Sequence, residues 1–170
     1  MKRKKKSRDC RILFLYPNER GMSTIPPSIA GLSQILKNEG HTTGLFDTTF
    51  YKFDDEITVE DSDKIKANAL ENRPVLDRDD DDLHFKKTTS SAVEDFRKSL
   101  IDFKPDLIAV SCTETTFLRA IRMIDETRDL GIKNIFGGVF PTFAPDLTMS
   151  YPNVDMVCVG EGENAIIDLA

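Results

Sequence analysis

The chain has 170 residues, 39% of them hydrophobic and 31% charged, with a formal net charge of -6 at pH 7. That length and apolar content supply one domain with a real core and are short for two. The acidic balance argues against nucleic-acid recognition, which needs a basic face, and no apolar run approaches the roughly 20 residues of a membrane-spanning helix. The basic cluster at Lys2 to Lys6 reads as a solvated tail over residues 1–9. No signal-peptide core follows it, so the expected location is the cytoplasm. Cys10, Cys112 and Cys158 are odd in number and far apart, which fits neither a disulfide framework nor a CxxC metal site. Cys112 and Cys158 fall in or beside apolar runs and are expected to behave as small buried hydrophobes.

The domain proper is expected over residues 10–170. "RILFLYP", Arg11 to Pro17, is a near-continuous apolar run that stops at a proline, as expected of a central strand buried on both faces. After a loop, Pro27 can occupy a first helical turn; Ile29, Leu32, Ile35 and Leu36 recur at helical spacing until Gly40. "TTGLFDTTF" reads as the second strand. Between Asp54 and Asp82 twelve acidic residues stand against four basic ones, including the run Asp79 to Asp82. This predicts a solvated insertion, about 52–89, with one short helix around Ile65 to Leu70. Adjacent carboxylates without a glycine turn or EF-hand spacing are weak grounds for a metal site.

Ser91 and Glu94 form an S-x-x-E capping box, and Val93, Phe96, Leu100 and Phe103 give the next helix its apolar face. "KPDLIAVSC" is the third strand. Phe117, Leu118, Ile121 and Ile124 repeat the helical pattern, with Gly131 as its stop. "KNIF" is a short fourth strand running into Gly137 and Gly138, Pro145 opens a brief helix, "VDMVCV" is the fifth strand, and "GEGENAIIDLA" begins another helix.

Strands alternating with helices give a parallel sheet with right-handed crossovers. The expected class is α/β: a flavodoxin-like (Rossmann-like), three-layer, doubly wound sheet of five strands in the order 2-1-3-4-5. Ligands on such a sheet bind outside the carboxyl ends of the strands, at the switch point. That rule selects the loop after strand 1 (Pro17 to Pro26), "SCTETT" after strand 3, "GGVFPTF" after strand 4 and "GEGE" after strand 5. Ser111, Thr113, Thr115 and Thr116 offer hydroxyls there, while Gly137, Gly138, Gly160 and Gly162 expose main-chain amides, a set suited to a large ligand with many amide and phosphate groups. The alternative is that a threonine caps the next helix and the glycines turn corners.

Several occupants of this fold do not match. A phosphoacceptor receiver needs an aspartate at the end of strand 3, where Ser111 stands. A flavodoxin needs a hydroxyl-rich phosphate loop after strand 1, and a dinucleotide fold needs G-x-G-x-x-G there. Neither His41 nor His84 is expected on the ligand rim.

Four stretches, "PPSIAGLSQILKNEGHTTGLFDTT", "KPDLIAVSCTETTFLRAIRMID", "FGGVFPTFAPDL" and "VDMVCVGEGENAIIDL", together resemble the amino-terminal cobalamin-binding domain of cobalamin-dependent radical S-adenosylmethionine enzymes. The resemblance implies a crevice that receives the corrin and its nucleotide tail. It implies cofactor contacts from Asn18 after strand 1, Ser111, Thr113 and Thr115 after strand 3, and Gly160 and Glu161 after strand 5. Gly137 and Gly138 would leave room for the cofactor against the backbone, with Val139 and Phe140 packing beside it. No residue is expected to be catalytic or to bind a metal.

The chain departs from related patterns in two places. The D-x-H-x-x-G that brings a histidine to cobalt in other cobalamin domains is absent after strand 1; the only D-x-H, Asp82 to His84, sits in the insertion without the glycine. The C-x-x-x-C-x-x-C triplet that anchors a [4Fe-4S] cluster is also missing. The expectation is therefore the cobalamin module of a longer enzyme, whose following radical domain holds the cluster and S-adenosylmethionine and acts on a small molecule by methyl transfer or a related radical reaction. A stand-alone regulatory module on the same fold, binding a small effector or a protein, is the alternative.

Overall fold

The computed structural model describes residues 9–18, 26–51, 53 and 88–170. Nearly all of the basic tail, most of the loop after strand 1, and the acidic segment with its expected helix at Ile65 to Leu70, the Asp79 to Asp82 run and His84 lie outside the described residues.

The described residues form a five-stranded sheet, β1 (Arg11–Tyr16), β2 (Thr42–Asp47), β3 (Leu107–Ser111), β4 (Lys133–Gly137) and β5 (Met156–Val157). The order is β2-β1-β3-β4-β5 and every pairing is parallel, as the alternation of apolar runs and amphipathic segments required. The order reverses between β1 and β3, where successive crossovers go to opposite faces and leave a crevice at the carboxyl edge.

Strand periodicity assigns the two faces. Leu13, Leu15, Ile108, Val110 and Phe136 point to one side and pack on Phe96 and Leu100 of α2 (Ala92–Phe103) and on Phe117, Ile121 and Ile124 of α3 (Glu114–Asp125). Ile12, Phe14 and Ala109 point to the other, against Ile29 and Leu36 of α1 (Pro27–Glu39) and Ile166 of α6 (Glu163–Leu169). Burying a side chain such as Phe96 or Phe136, both 0% exposed, contributes about 1.5–3 kcal/mol. Between β4 and β5 the chain makes two short helices, α4 (Val139–Phe143) and α5 (Pro145–Met149).

Local signals explain the helix ends. Pro27 opens α1 and Gly40 closes it at φ 96°, while the Ser91 hydroxyl accepts the Glu94 amide at 3.4 Å to start α2. Three expectations change. β2 stops at Asp47, because Thr48 and Thr49 turn inward onto Asn18. The fifth strand is shorter than "VDMVCV": only Met156 and Val157 join the ladder at the sheet edge. Leu118 is 62% exposed, and Ala120 and Met123 complete the buried face of α3 in its place. Among the described residues, no helix is long and apolar enough to cross a membrane.

Candidate functional site

A cleft of about 530 Å³ opens at the carboxyl edge of the sheet, between the sheet's α1/α6 face and the loops that follow β1, β3, β4 and β5. Strand register builds its floor in two rows. The deeper row runs Phe14, Ala109, Ile135 across β1, β3 and β4, each residue paired with the next. Two residues nearer the edge stand Tyr16, Ser111 and Gly137, with Ser111 and Gly137 in direct register. Leu32 and Ile166 close the slot from α1 and α6. The gradient from apolar depth to polar rim is thus set by side-chain alternation along three strands.

The glycine-rich loops form one wall. Gly138 has φ 102°, and a Cβ built there would lie 2.7 Å from the Cys112 carbonyl oxygen. Only glycine lets the β4 loop approach the end of β3 so closely. Gly137 differs: its added Cβ would meet nothing nearer than Cys158 Cβ at 3.7 Å. Thr142 joins two loops, its hydroxyl donating to the Gly138 carbonyl at 2.8 Å and accepting the Gly160 amide at 3.1 Å. Val139 and Phe143, four residues apart on α4, line the mouth and are 60% and 84% exposed.

The β1 and β3 edges are held from behind. Asn18 is buried, and its amide group donates to the Thr49 hydroxyl at 2.9 Å. Its carbonyl accepts from Thr48 Oγ1 at 2.8 Å and from Arg119 at 3.2 Å, while the Arg119 guanidinium lies 4.3 Å from the centre of the Phe53 ring. At the start of α3 the Thr113 amide donates to Thr116 Oγ1 at 3.0 Å, so Thr116 secures the helix start. The Ser111 hydroxyl, by contrast, has no hydrogen-bond partner among the described residues.

Among the described residues, charge at the cleft is acidic, from Glu161 and Glu163. Burial, reinforced by the Glu163 carboxylate, pushes the Cys158 thiol up from its ordinary value. Burial alone pushes Cys112 up to about 12, so both sulfurs are neutral at physiological pH. Cys10, Cys112 and Cys158 form no disulfide, and among the described residues no group of three or more His, Cys, Asp and Glu side chains is placed to hold a metal ion.

A cleft at this switch point, with small residues where two strand ends meet and a hydroxyl there that bonds to none of the described residues, has a counterpart among known families. The model of the B12 binding domain matches residues 18–170. The chain belongs to the B12 binding domain family. Two solved structures of the radical S-adenosylmethionine methyltransferase TsrM from Kitasatospora setae are similar in fold to this B12 binding domain. One holds tryptophan substrate and the analogue aza-SAM, the other cobalamin and a [4Fe-4S] cluster; each has a TM-score of 0.62 and 17% identity. The matches cover 94% and 95% of this chain and 25% and 26% of those chains, so the chain spans about a quarter of their length. No match was found among curated proteins.

Eight residues expected from the sequence line the cleft of this B12 binding domain: Asn18, Ser111, Thr113, Gly137, Gly138, Val139, Gly160 and Glu161. Thr115 and Phe140 do not. Thr115 sits exposed on α3 with its hydroxyl 3.1 Å from that of Thr113, and Phe140 turns into the core against Phe117, ring centroids 4.5 Å apart. Lining residues that the sequence reading passed over include Ser28, Leu32, Thr142, Phe143 and Ile166. Helical spacing inside "GGVFPTF" was the available signal for Thr142 and Phe143. The donor set fits a B12 cofactor: an apolar slot for a flat group, hydroxyls at its lip, and neutral main-chain amides where charged side chains would carry a desolvation cost.

Proposed function

We propose that this B12 binding domain is the cobalamin-holding module of a larger radical S-adenosylmethionine enzyme that performs methyl transfer or a related radical reaction. The observation that carries the reading is the cleft itself, with the Ser111 hydroxyl free and Gly137 beside it in register at the switch point. Ser111 and Thr113 hydrogen-bond the nucleotide tail as it enters between β1 and β3, Gly137 leaves the rim low, and Gly160 and Glu161 complete it. Val139 and Phe143 offer an apolar shelf whose exposure is relieved when a second domain covers the mouth. Bound cobalamin supplies a cobalt centre able to carry a methyl group. This chain orients it without an imidazole from His41, which is buried at the far end of β2 and accepts the Cys10 amide at 3.1 Å. A [4Fe-4S] cluster and S-adenosylmethionine belong to the covering domain, since the thiolate triplet is absent from this sequence.

Titration with hydroxocobalamin, followed by visible absorbance and equilibrium dialysis, tests the reading. Saturable one-to-one binding is expected, weak in this chain alone because the cleft is open on one side. Absence of saturable binding by chain whose circular dichroism is that of a folded α/β domain would refute it.

A further inference from the structure

The β1–β3 ladder ends at the Leu15–Val110 pair, short of both lips of the cleft. Beyond it each strand stays with its outer neighbour. Tyr16 pairs with Asp47 of β2, and its carbonyl accepts the Thr48 amide at 3.1 Å; Ser111 pairs with Gly137 of β4, and the Cys112 amide donates to the Gly137 carbonyl at 3.1 Å. The crevice at the switch point is therefore a gap between two halves of the sheet, and the ladder does not set its width.

Arg119 spans that gap. It stands on α3, which belongs to the β3 half and starts at the cleft-lining Thr113, and its Nη1 donates to the Asn18 carbonyl on the β1 half at 3.2 Å. Arg119 is 6% exposed, with its guanidinium laid against the Phe53 ring, which is itself buried. A planar cation packed on an aromatic face has few orientations open to it, so its hydrogen bond holds one lip at a fixed distance from the other.

Resting on the reading that this cleft holds cobalamin with its nucleotide tail between β1 and β3, we propose that Arg119 is a positioning residue that acts through Asn18 to set the width of the crevice, and so governs affinity for a corrinoid that carries a tail. Base, ribose and phosphate pass between the lips. The corrin ring lies on the side of Gly137, Gly160 and Glu161, on loops that the Arg119 bond does not reach. A change in crevice width therefore acts on the tail and spares the ring.

The experiment titrates hydroxocobalamin and cobinamide, which has no nucleotide tail, into the whole chain and follows absorbance. Arg119→Met keeps an unbranched stem beside Phe53 and removes the donor; Phe53→Leu keeps the donor and removes the flat face. Circular dichroism selects conditions in which each protein is folded, and Phe53→Leu carries the test should Arg119→Met fail to fold. Cobalamin is expected to bind about 10-fold more weakly to Arg119→Met and about 3-fold more weakly to Phe53→Leu, with cobinamide within about twofold of the parent. Cobalamin affinity equal to the parent's in both variants overturns the inference, whatever cobinamide does. An equal loss for the two corrinoids also overturns it, because the variants then damage the cleft as a whole; both outcomes leave the cobalamin reading intact. Failure of the parent to bind cobalamin overturns that reading and this inference with it.

Discussion

Replacing Gly137 and Gly138 one at a time separates ligand space from chain packing, because the two neighbours face different surroundings. In Gly138→Ala the new methyl meets the Cys112 carbonyl oxygen at 2.7 Å and its amide nitrogen at 3.1 Å, at a φ of +102°. With ψ at -166°, this is a positive-φ extended conformation open essentially to glycine alone, and it costs about 1–3 kcal/mol for a residue with a Cβ. Overlap with main chain that cannot rotate away adds about 1–3 kcal/mol. At about 2–4 °C per kcal/mol for a domain of this size, the melting temperature should fall by roughly 10 °C. Gly137→Ala places its methyl 3.7 Å from Cys158 Cβ and 3.9 Å from the Val110 carbonyl oxygen, ordinary contacts, so stability should stay within about 1 kcal/mol of the parent. Gly137→Val keeps the fold and fills the rim beside Ser111, so its cobalamin affinity should drop about tenfold or more, equivalent to about 1.4 kcal/mol. Thermal melting by circular dichroism and absorbance titration measure the two effects independently. A Gly138→Ala protein that melts with the parent would refute the close approach to Cys112. A Gly137→Val protein that binds cobalamin like the parent would remove the cofactor from this rim.

Thr142→Val deletes both hydroxyl bonds between the β4 and β5 loops, and should cost about 1 kcal/mol and speed hydrogen exchange at the Gly160 amide; Thr142→Ser should restore both. Cys158 lines the cleft and is only partly buried, so cobalamin should slow its alkylation, whereas Cys112 at 3% exposure should resist reagent with or without cofactor; mass spectrometry of the labelled peptides reads both. The Cys112 thiol is raised in the folded chain to about 12, so its contribution is complete below the ordinary thiol range and is lost as pH climbs from about 9 to about 12. Denaturant titrations across that window should show a shallower alkaline loss for Cys112→Ala, with the remainder including Tyr51, also raised to about 12 by burial and by its bond to Asp95.

The sheet was legible because each strand carries its own evidence. "RILFLY" and "LIAVS" are too short and too apolar for surface helices, and Pro27, Gly40, Ser91 and Gly131 punctuate the helices between them. The location of the cleft followed from strand order alone. Orientation within the rim did not. "GGVFPTF" reads as a loop, in which Phe140 stands beside Val139; as the helix α4, the 3.6-residue period puts Val139 and Phe143 on the cleft side and sends Phe140 to Phe117. Thr115 lies outside the cleft lining for the same reason, one position off the face that Thr113 and Thr116 share. The place of Asn18 at the cleft follows from its position after β1, but its buried bonds to Thr48, Thr49 and Arg119 come from residues that no local pattern links to it.

The distribution of charge around the cleft explains why so few of its residues announce themselves as binding groups. A cofactor edged with neutral amides gains little from a formal charge, and a charged side chain brought to the rim would have to surrender water for a weak partner. Hydroxyls and main-chain amides lose less on desolvation and can act as both donor and acceptor between them. Arg119 shows the consequence. It is buried just behind the rim, yet its guanidinium is turned to the Asn18 carbonyl and the Phe53 ring, where it fixes the end of β1 and presents no cation to the cleft. The architecture that holds the rim in place is therefore polar and partly charged, while the surface that the described residues offer to a ligand is apolar below and mostly hydroxyl and main-chain amide above, with Glu161 and Glu163 its charged groups. That division predicts a binding site whose affinity is set by shape and by hydrogen-bond count and is nearly insensitive to salt, in contrast to a phosphate site built on lysine and arginine.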